Sequence, residues 1–250
     1  MLPVVVVYQF QEGNMFKFSN HFKMLSLHSY NTLASLQHGK LPKQNKTQQN
    51  TQNDLLLTNS SLNKQQLLNQ LRDDMQKIDL PINNENNTLV FSDGNINSNI
   101  MLVGEAPGAE EVIQKKPFVG QSGQLLQEML EAIELNRTKY YVINTIPWRL
   151  KDNRTPTSYE IDILRPYVHR HIQIINPKIL VVIGSIAYKA IFNTVKAITS
   201  IQGKWIQYTP LQISAIIMFH PAYLLRAPSR KKDMWYAMLS LKHKIISEKL

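Results

Sequence analysis

Four places in this chain carry side chains able to do chemistry together, and three of them follow a short apolar run. Gly104-Glu105-Ala106-Pro107-Gly108 brings a carboxylate after Ile100-Met101-Leu102-Val103, and Asn144 follows Tyr141-Val142-Ile143. His220 comes just after Ala215-Ile216-Ile217-Met218 and heads the segment His220-Pro221-Ala222-Tyr223-Leu224-Leu225-Arg226. Phe118 precedes Gly120-Gln121-Ser122-Gly123, which opens a helical pattern. Singly, a glycine-rich turn or a histidine after a strand is an ordinary structural feature. Together they offer an aromatic face, an amide with both a donor and an acceptor, a carboxylate and an imidazole. That set suits a nucleobase pocket: a ring to stack on, an amide to read an edge, and a further donor.

The elements that must position these groups are legible as patterns. A further apolar run, Ile179-Leu180-Val181-Val182-Ile183, ends in Gly184-Ser185. Helical patterns lie between the runs: Gly123–Ile133, with Leu125, Leu126, Met129, Leu130 and Ile133 on one face, then Tyr159–Ile175, then the shorter Ile186–Thr194. Continuous apolar strands separated by helices predict an α/β fold. The expected architecture is a three-layer α/β/α sandwich around a four-stranded, mainly parallel sheet. Ligands of such sheets sit at the carboxyl ends of the strands, where the candidate residues fall.

Composition narrows the classes further. With 250 residues, 43% hydrophobic and 18% charged, the chain can build a core. It has no cysteine, which excludes disulfides, thiolate metal sites and cysteine nucleophiles and fits a reducing cytoplasm. No apolar run approaches the ~18–20 residues of a membrane span, and Leu2-Pro3-Val4-Val5-Val6-Val7-Tyr8 lacks the basic start of a secretory leader. The net charge is +10, with eight Lys/Arg against six Asp/Glu over residues 1–90 and twenty against twelve over 91–250. A polyanion such as DNA or RNA is the leading expected partner, ahead of an anionic membrane. Residues 1–87 read as a low-complexity, largely disordered extension, with one helix expected at 62–78 from Leu67, Leu68, Leu71 and Met75. Asn83-Asn84-Glu85-Asn86-Asn87 reads as a linker into a folded domain over 88–250.

Five motifs then stand in order along residues 91–237. They are Gly104-Glu105-Ala106-Pro107-Gly108-Ala109-Glu110-Glu111, Pro117-Phe118-Val119-Gly120-Gln121-Ser122-Gly123, Asn144, Asn153-Arg154-Thr155-Pro156-Thr157, and His220 to Arg226. This part of the chain resembles the uracil-DNA glycosylase superfamily, of the family-four type. The resemblance implies a monofunctional hydrolase that flips uracil out of DNA, cuts its N-glycosidic bond and leaves an abasic site. It implies uracil contacts from Ala106, Gly108, Phe118 and Asn144, and leaving-group stabilisation by His220. It places the water with Glu105 or, next in order, Glu111. Ser122, Leu225, Arg226 and Arg230 would meet DNA, Leu225 within a leucine wedge and Arg226, Arg230, Lys231 and Lys232 on a basic ledge. Uracil-containing DNA is thus the expected partner, and the chain is expected to act as a monomer without a membrane.

Two departures from the family pattern bear on this reading. Family-four enzymes hold a four-iron cluster on four cysteines, and two of those positions fall on Trp148 and Leu164 here. The expectation is therefore no cofactor, with apolar packing in place of the cluster. Val112 stands where an acid is common, and Ala106 leaves no carboxylate at a position another branch of the superfamily uses. A non-catalytic, glycosylase-like module that binds DNA or uracil is the alternative. A phosphate-loop enzyme is disfavoured because no Gly-Lys-Ser/Thr follows the glycines.

Overall fold

A run such as Ile179–Ile183, apolar at every position, can hide both its faces only in a sheet covered on both sides. The computed structural model describes residues 63–84 and 87–250, and in it this run is the strand β4 at the centre of such a sheet. The low-complexity reading of residues 1–62 lies outside the described residues. Among the described residues six strands form the sheet, in the order β1-β3-β2-β4-β6-β5. They are β1 (Asp93–Gly94), β2 (Ile100–Gly104), β3 (Tyr141–Asn144), β4 (Ile179–Ile183), β5 (Trp205–Tyr208) and β6 (Ile213–Met218). The four expected strands are β2, β3, β4 and β6, and they pair in parallel. The expected count of four is corrected to six by two antiparallel edges, β1 on β3 and β5 on β6. β1 has only two residues, and Trp205–Tyr208 is mostly half-exposed, so neither carries a buried-strand pattern.

Among the described residues seven α-helices cover the sheet: α1 (63–76), α2 (Ala109–Gln114), α3 (Gln121–Glu131), α4 (Ser158–Ile175), α5 (Ser185–Phe192), α6 (Pro221–Arg226) and α7 (Lys231–Ser247). Alternation along β2 sorts them into two layers, because successive side chains of a strand point to opposite faces. Met101 and Val103 join Leu68, Leu71, Leu164, Ile172 and Ala187, from α1, α4 and α5. Ile100 and Leu102 join Leu126, Leu130, Leu224, Met238 and Leu241, from α3, α6 and α7. The short β-to-α links leave the rim at the strands' carboxyl ends to the loops after β2, β3, β4 and β6.

One of those loops leads into α4, whose start is fixed by the fourth motif. Thr157 caps the helix by accepting from the Glu160 amide, and the Glu160 carboxylate accepts back from Thr157 N. Arg154 donates twice to that carboxylate, at 2.9 and 2.6 Å. Arg154 first, helped by the Thr157 bonds, holds the Glu160 carboxyl down at about 2 against the opposing cost of burial.

The asparagine-rich segment is part of the fold. Asn83 Nδ2 donates to the carbonyls of Gln76 and Ile78, which turns the chain back at the end of α1. Asn87 Nδ2 donates to Ile82 O and, across the sequence, to Arg149 O, while Val90 N donates to Pro147 O. Leu80 and Ile82 are buried in the same cluster as Trp148 and Leu164. The expected helix at 62–78 is present over 63–76, but the division at 87/88 cuts through one core. A chain begun at residue 88 would lose Leu68, Leu71, Met75, Leu80 and Ile82 from that core, at ~1.5–3 kcal/mol of lost burial each. It should melt at least ~10 °C below a chain begun at residue 60, given ~2–4 °C per kcal/mol for a domain of this size. Equal melting temperatures in a paired thermal scan would remove α1 from the folding unit.

Candidate active site

The rim is built by two strands ending side by side. Gly104 closes β2 directly opposite Asn144, the last residue of β3. Beyond them the loops are joined: Thr145 N and Thr145 Oγ1 both donate to Gly104 O, and Ile146 N donates to Glu105 O. The backbones that leave Asn144 and Gly104 are therefore tied to each other just beyond the sheet. A side chain at 104 would overlap the Phe118 ring and lie 2.6 Å from Asn144 Oδ1. Phe118 and Asn144 thus meet over a residue that must lack a Cβ. Asn144 is only 5% exposed, and no hydrogen bond from the described residues engages its amide. Neither amide atom is among the described side-chain atoms buried without a partner, so the amide opens onto the rim, where a ligand can reach both its donor and its acceptor.

Phe118 is held in a backbone conformation that bulky residues avoid, with φ at 56°. The cause lies in Glu111. Its carboxylate accepts from Gly108 N at 3.0 Å, Val119 N at 2.8 Å and Gly120 N at 2.7 Å. One acid therefore closes the start of α2 and fastens the two amides that follow Phe118. Gly123 lets the turn pack, since a Cβ there would run into the Phe118 backbone. The carboxylate of Glu111, expected as a second candidate for the water, accepts from these three amides.

His220 completes the rim from the other side. It caps α6, its Nδ1 accepting from Ala222 N at 3.2 Å. A nitrogen that accepts from an amide carries no proton, so Nε2 bears the hydrogen and remains available as a donor. Burial lowers the imidazole to about 4, the Arg226 charge pushes the same way, and Glu111 opposes. The ring is neutral at physiological pH. It lies 5.9 Å from the Phe118 ring, tilted by 30°. Gly184, at the end of β4 with φ at 93°, allows this approach, since a Cβ there would stand 3.2 Å from His220 Cβ.

Glu105 behaves in the opposite way to Glu111. It is half-buried, takes no side-chain hydrogen bond from the described residues, and burial raises its pKa while Arg226 opposes. Arg226 is exposed at the end of α6 and forms no salt bridge among the described residues. Leu224 is fully buried, so of the leucine pair only Leu225, 40% exposed, can reach outward. Ser122 lies in the first turn of α3, Gly108 is held by Glu111, and Ala106 packs against the core. Arg230 is tied to Asp233 at 3.1 Å at the foot of α7. The rim thus brings Glu105, Phe118, Asn144 and His220 together. Gly104 and Gly184 each end an apolar run where a loop must turn closely, which is the sequence sign of the close approaches found there.

Comparison with known proteins agrees with this architecture. Residues 91–240 match the Uracil DNA glycosylase superfamily. The chain is 32% identical over 159 residues to the Type-4 uracil-DNA glycosylase of Pyrobaculum aerophilum, which covers 61% of this chain and 81% of that relative. It is 35% identical over 152 residues to the Type-4 enzyme of Thermotoga maritima, covering 60% and 79%. For that of Sulfurisphaera tokodaii the figures are 37% over 151 residues, 57% and 68%. The chain belongs to the uracil-DNA glycosylase superfamily.

The iron–sulfur cluster implied by the family-four resemblance does not fit these residues. Trp148 is 1% exposed and Leu164 is fully buried, both inside the apolar cluster with Leu80, Ile146 and Leu150. An indole and an isobutyl group offer iron no ligand, and the chain has no thiol.

The two carboxylates make opposite predictions. Glu111→Gln removes an acceptor from backbone amides, each lost buried bond costing ~1–3 kcal/mol, and should lower the melting temperature by several degrees. Glu105→Gln removes a charge that burial disfavours and should leave the melting temperature unchanged or raise it. The reverse ordering in a thermal scan would exchange the roles of the two acids.

Proposed function

We propose that this protein is a DNA repair hydrolase that flips uracil out of DNA, cleaves its N-glycosidic bond and leaves an abasic site. The observation that carries the reading is the unengaged amide of Asn144, opening onto the rim beside the Phe118 ring. A flipped uracil stacks on Phe118. Asn144 accepts from N3–H and donates to O4, whereas cytosine presents the opposite polarity at both positions and leaves the amide unpaired. Ala106 and Gly108 line the same loop.

In the reaction the bond from C1′ to N1 breaks and its electron pair leaves with uracil. His220 Nε2–H donates to uracil O2 and holds the developing anion, as a neutral donor needing no proton transfer. Glu105 faces the positive charge gathering on the sugar and positions the water whose oxygen joins C1′. The water's protons go to the sugar hydroxyl and, through solvent, to the uracil anion. Such a dissociative step needs little base strength, in keeping with one weakly basic carboxylate. Leu225 fills the gap in the stack left by the flipped nucleotide, and Arg226, Ser122 and Arg230 meet phosphates. No step calls on a metal. The protein works as a monomer in the compartment that holds the DNA, and the lack of cysteine suits a reducing cytoplasm.

The test uses the purified full chain, a labelled uracil oligonucleotide and a chelator, followed by alkali. Free uracil and an alkali-sensitive strand are expected. The single-turnover rate should be flat from pH 6 to 8, because His220, at about 4, stays neutral throughout. His220→Ala should slow that step by ~10²–10³, the range for losing one oxyanion-type donor, and weaken DNA binding far less. Soluble protein yielding no uracil from single or double strands would leave only a binding role.

A further inference from the structure

Trp235, Tyr236, Leu239 and Ile246 of α7 are four of the eight large apolar side chains exposed among the described residues. They share one face. The opposite face, Met234, Ala237, Met238 and Leu241, is buried against the sheet. With α7 spanning about 25 Å at ~1.5 Å per residue, the outward face is a long stripe instead of a scattered set. The stripe is basic as well as aromatic. Lys231 and Lys232 open the helix, and Lys232 Nζ lies 5.9 Å from the centre of the Tyr236 ring.

The stripe is continuous with the proposed DNA-contacting helix. Arg230 bonds Asp233 in the first turn of α7, and only the short turn Pro228–Arg230 separates α7 from the end of α6 at Arg226. Flat aromatic faces beside a pair of cations on one helix match unpaired bases and their phosphates; a duplex keeps its base faces covered. The net charge of +10 favours a polyanion over a protein partner here. We infer that this face of α7 binds single-stranded DNA beside the site, with bases stacking on Trp235 and Tyr236 and phosphates meeting Arg226, Lys231 and Lys232. The inference rests on the glycosylase reading only for where the damaged nucleotide lies.

Oligothymidylate, which contains no uracil, is the probe. Of the three tryptophans, Trp148 is buried and Trp205 is packed against Lys244, so Trp235 is the one a base can reach. Oligothymidylate should quench Trp235 fluorescence, and Trp235→Phe should remove that quench. Trp235→Ala with Tyr236→Ala should weaken oligothymidylate binding by ~10-fold or more, the scale of losing stacked bases. Lys231→Ala with Lys232→Ala should cut the salt slope by ~1.4, at ~0.7 per phosphate on a single strand. Uracil release from a short oligonucleotide should be unaffected by the aromatic pair. Unchanged oligothymidylate affinity would overturn the inference, as would a self-association in sedimentation that the aromatic variant abolishes. Loss of uracil release with oligothymidylate binding intact would instead count against the glycosylase reading and leave the stripe standing.

Discussion

The active rim depends on a side chain that is not there. Parallel pairing puts Gly104 opposite Asn144, and the missing Cβ is what lets an aromatic ring and an amide occupy the same corner. A parallel register cannot be adjusted locally, because the same hydrogen bonds that fix Gly104 and Asn144 also fix the core positions Met101 to Val103. The geometry of the pocket is therefore inherited from the centre of the sheet. The loops contribute mainly by bringing Phe118 and His220 to it.

Around that corner the fold sorts its polar groups into satisfied and unsatisfied. Glu111 and Glu160 are buried carboxylates given full sets of donors, and both serve to hold loops. The side chains of Asn144 and the half-buried Glu105 are left without partners at the rim. Two acids six positions apart thus have environments that push them to different work, which is how neighbouring carboxylates acquire separate roles. His220 is divided within itself: Nδ1 is committed to the helix cap and Nε2 is left free. The strained turn at Phe118 shows where the cost of this arrangement falls, with Glu111 holding the turn in place.

How much of this could be read beforehand follows from the range of each interaction. The four central strands were legible because burial on both faces writes itself as an unbroken apolar run. The edges β1 and β5 were not, because half-exposed or two-residue strands leave no pattern. The residues of the rim were legible as types at strand ends, but their satisfaction was not. Gly108 to Glu111 does carry the three-residue spacing of a helix-capping acid, and that spacing was the available sign of the Glu111 capping bond. Nothing in Asn83 or Asn87 announces a carbonyl partner, and for Asn87 one of them lies 62 residues away. Composition therefore made them a linker, although their amides fasten α1 to the domain. Trp148 and Leu164 were legible as residues unable to hold iron, and the cluster of side chains around them explains what the fold does with those positions.

The most direct test of the account is a single substitution, Gly104→Ala, measured for single-turnover uracil release and for DNA binding on one duplex. The added methyl group would have to displace the Phe118 ring or the Asn144 amide. The account predicts a rate lower by ~10² or more, the scale of misplacing positioning groups by about 1 Å. DNA affinity should be nearly unchanged, because it comes from Arg226 and its neighbours. A Gly104→Ala protein that releases uracil at the wild-type rate would show that Phe118 and Asn144 do not form the pocket.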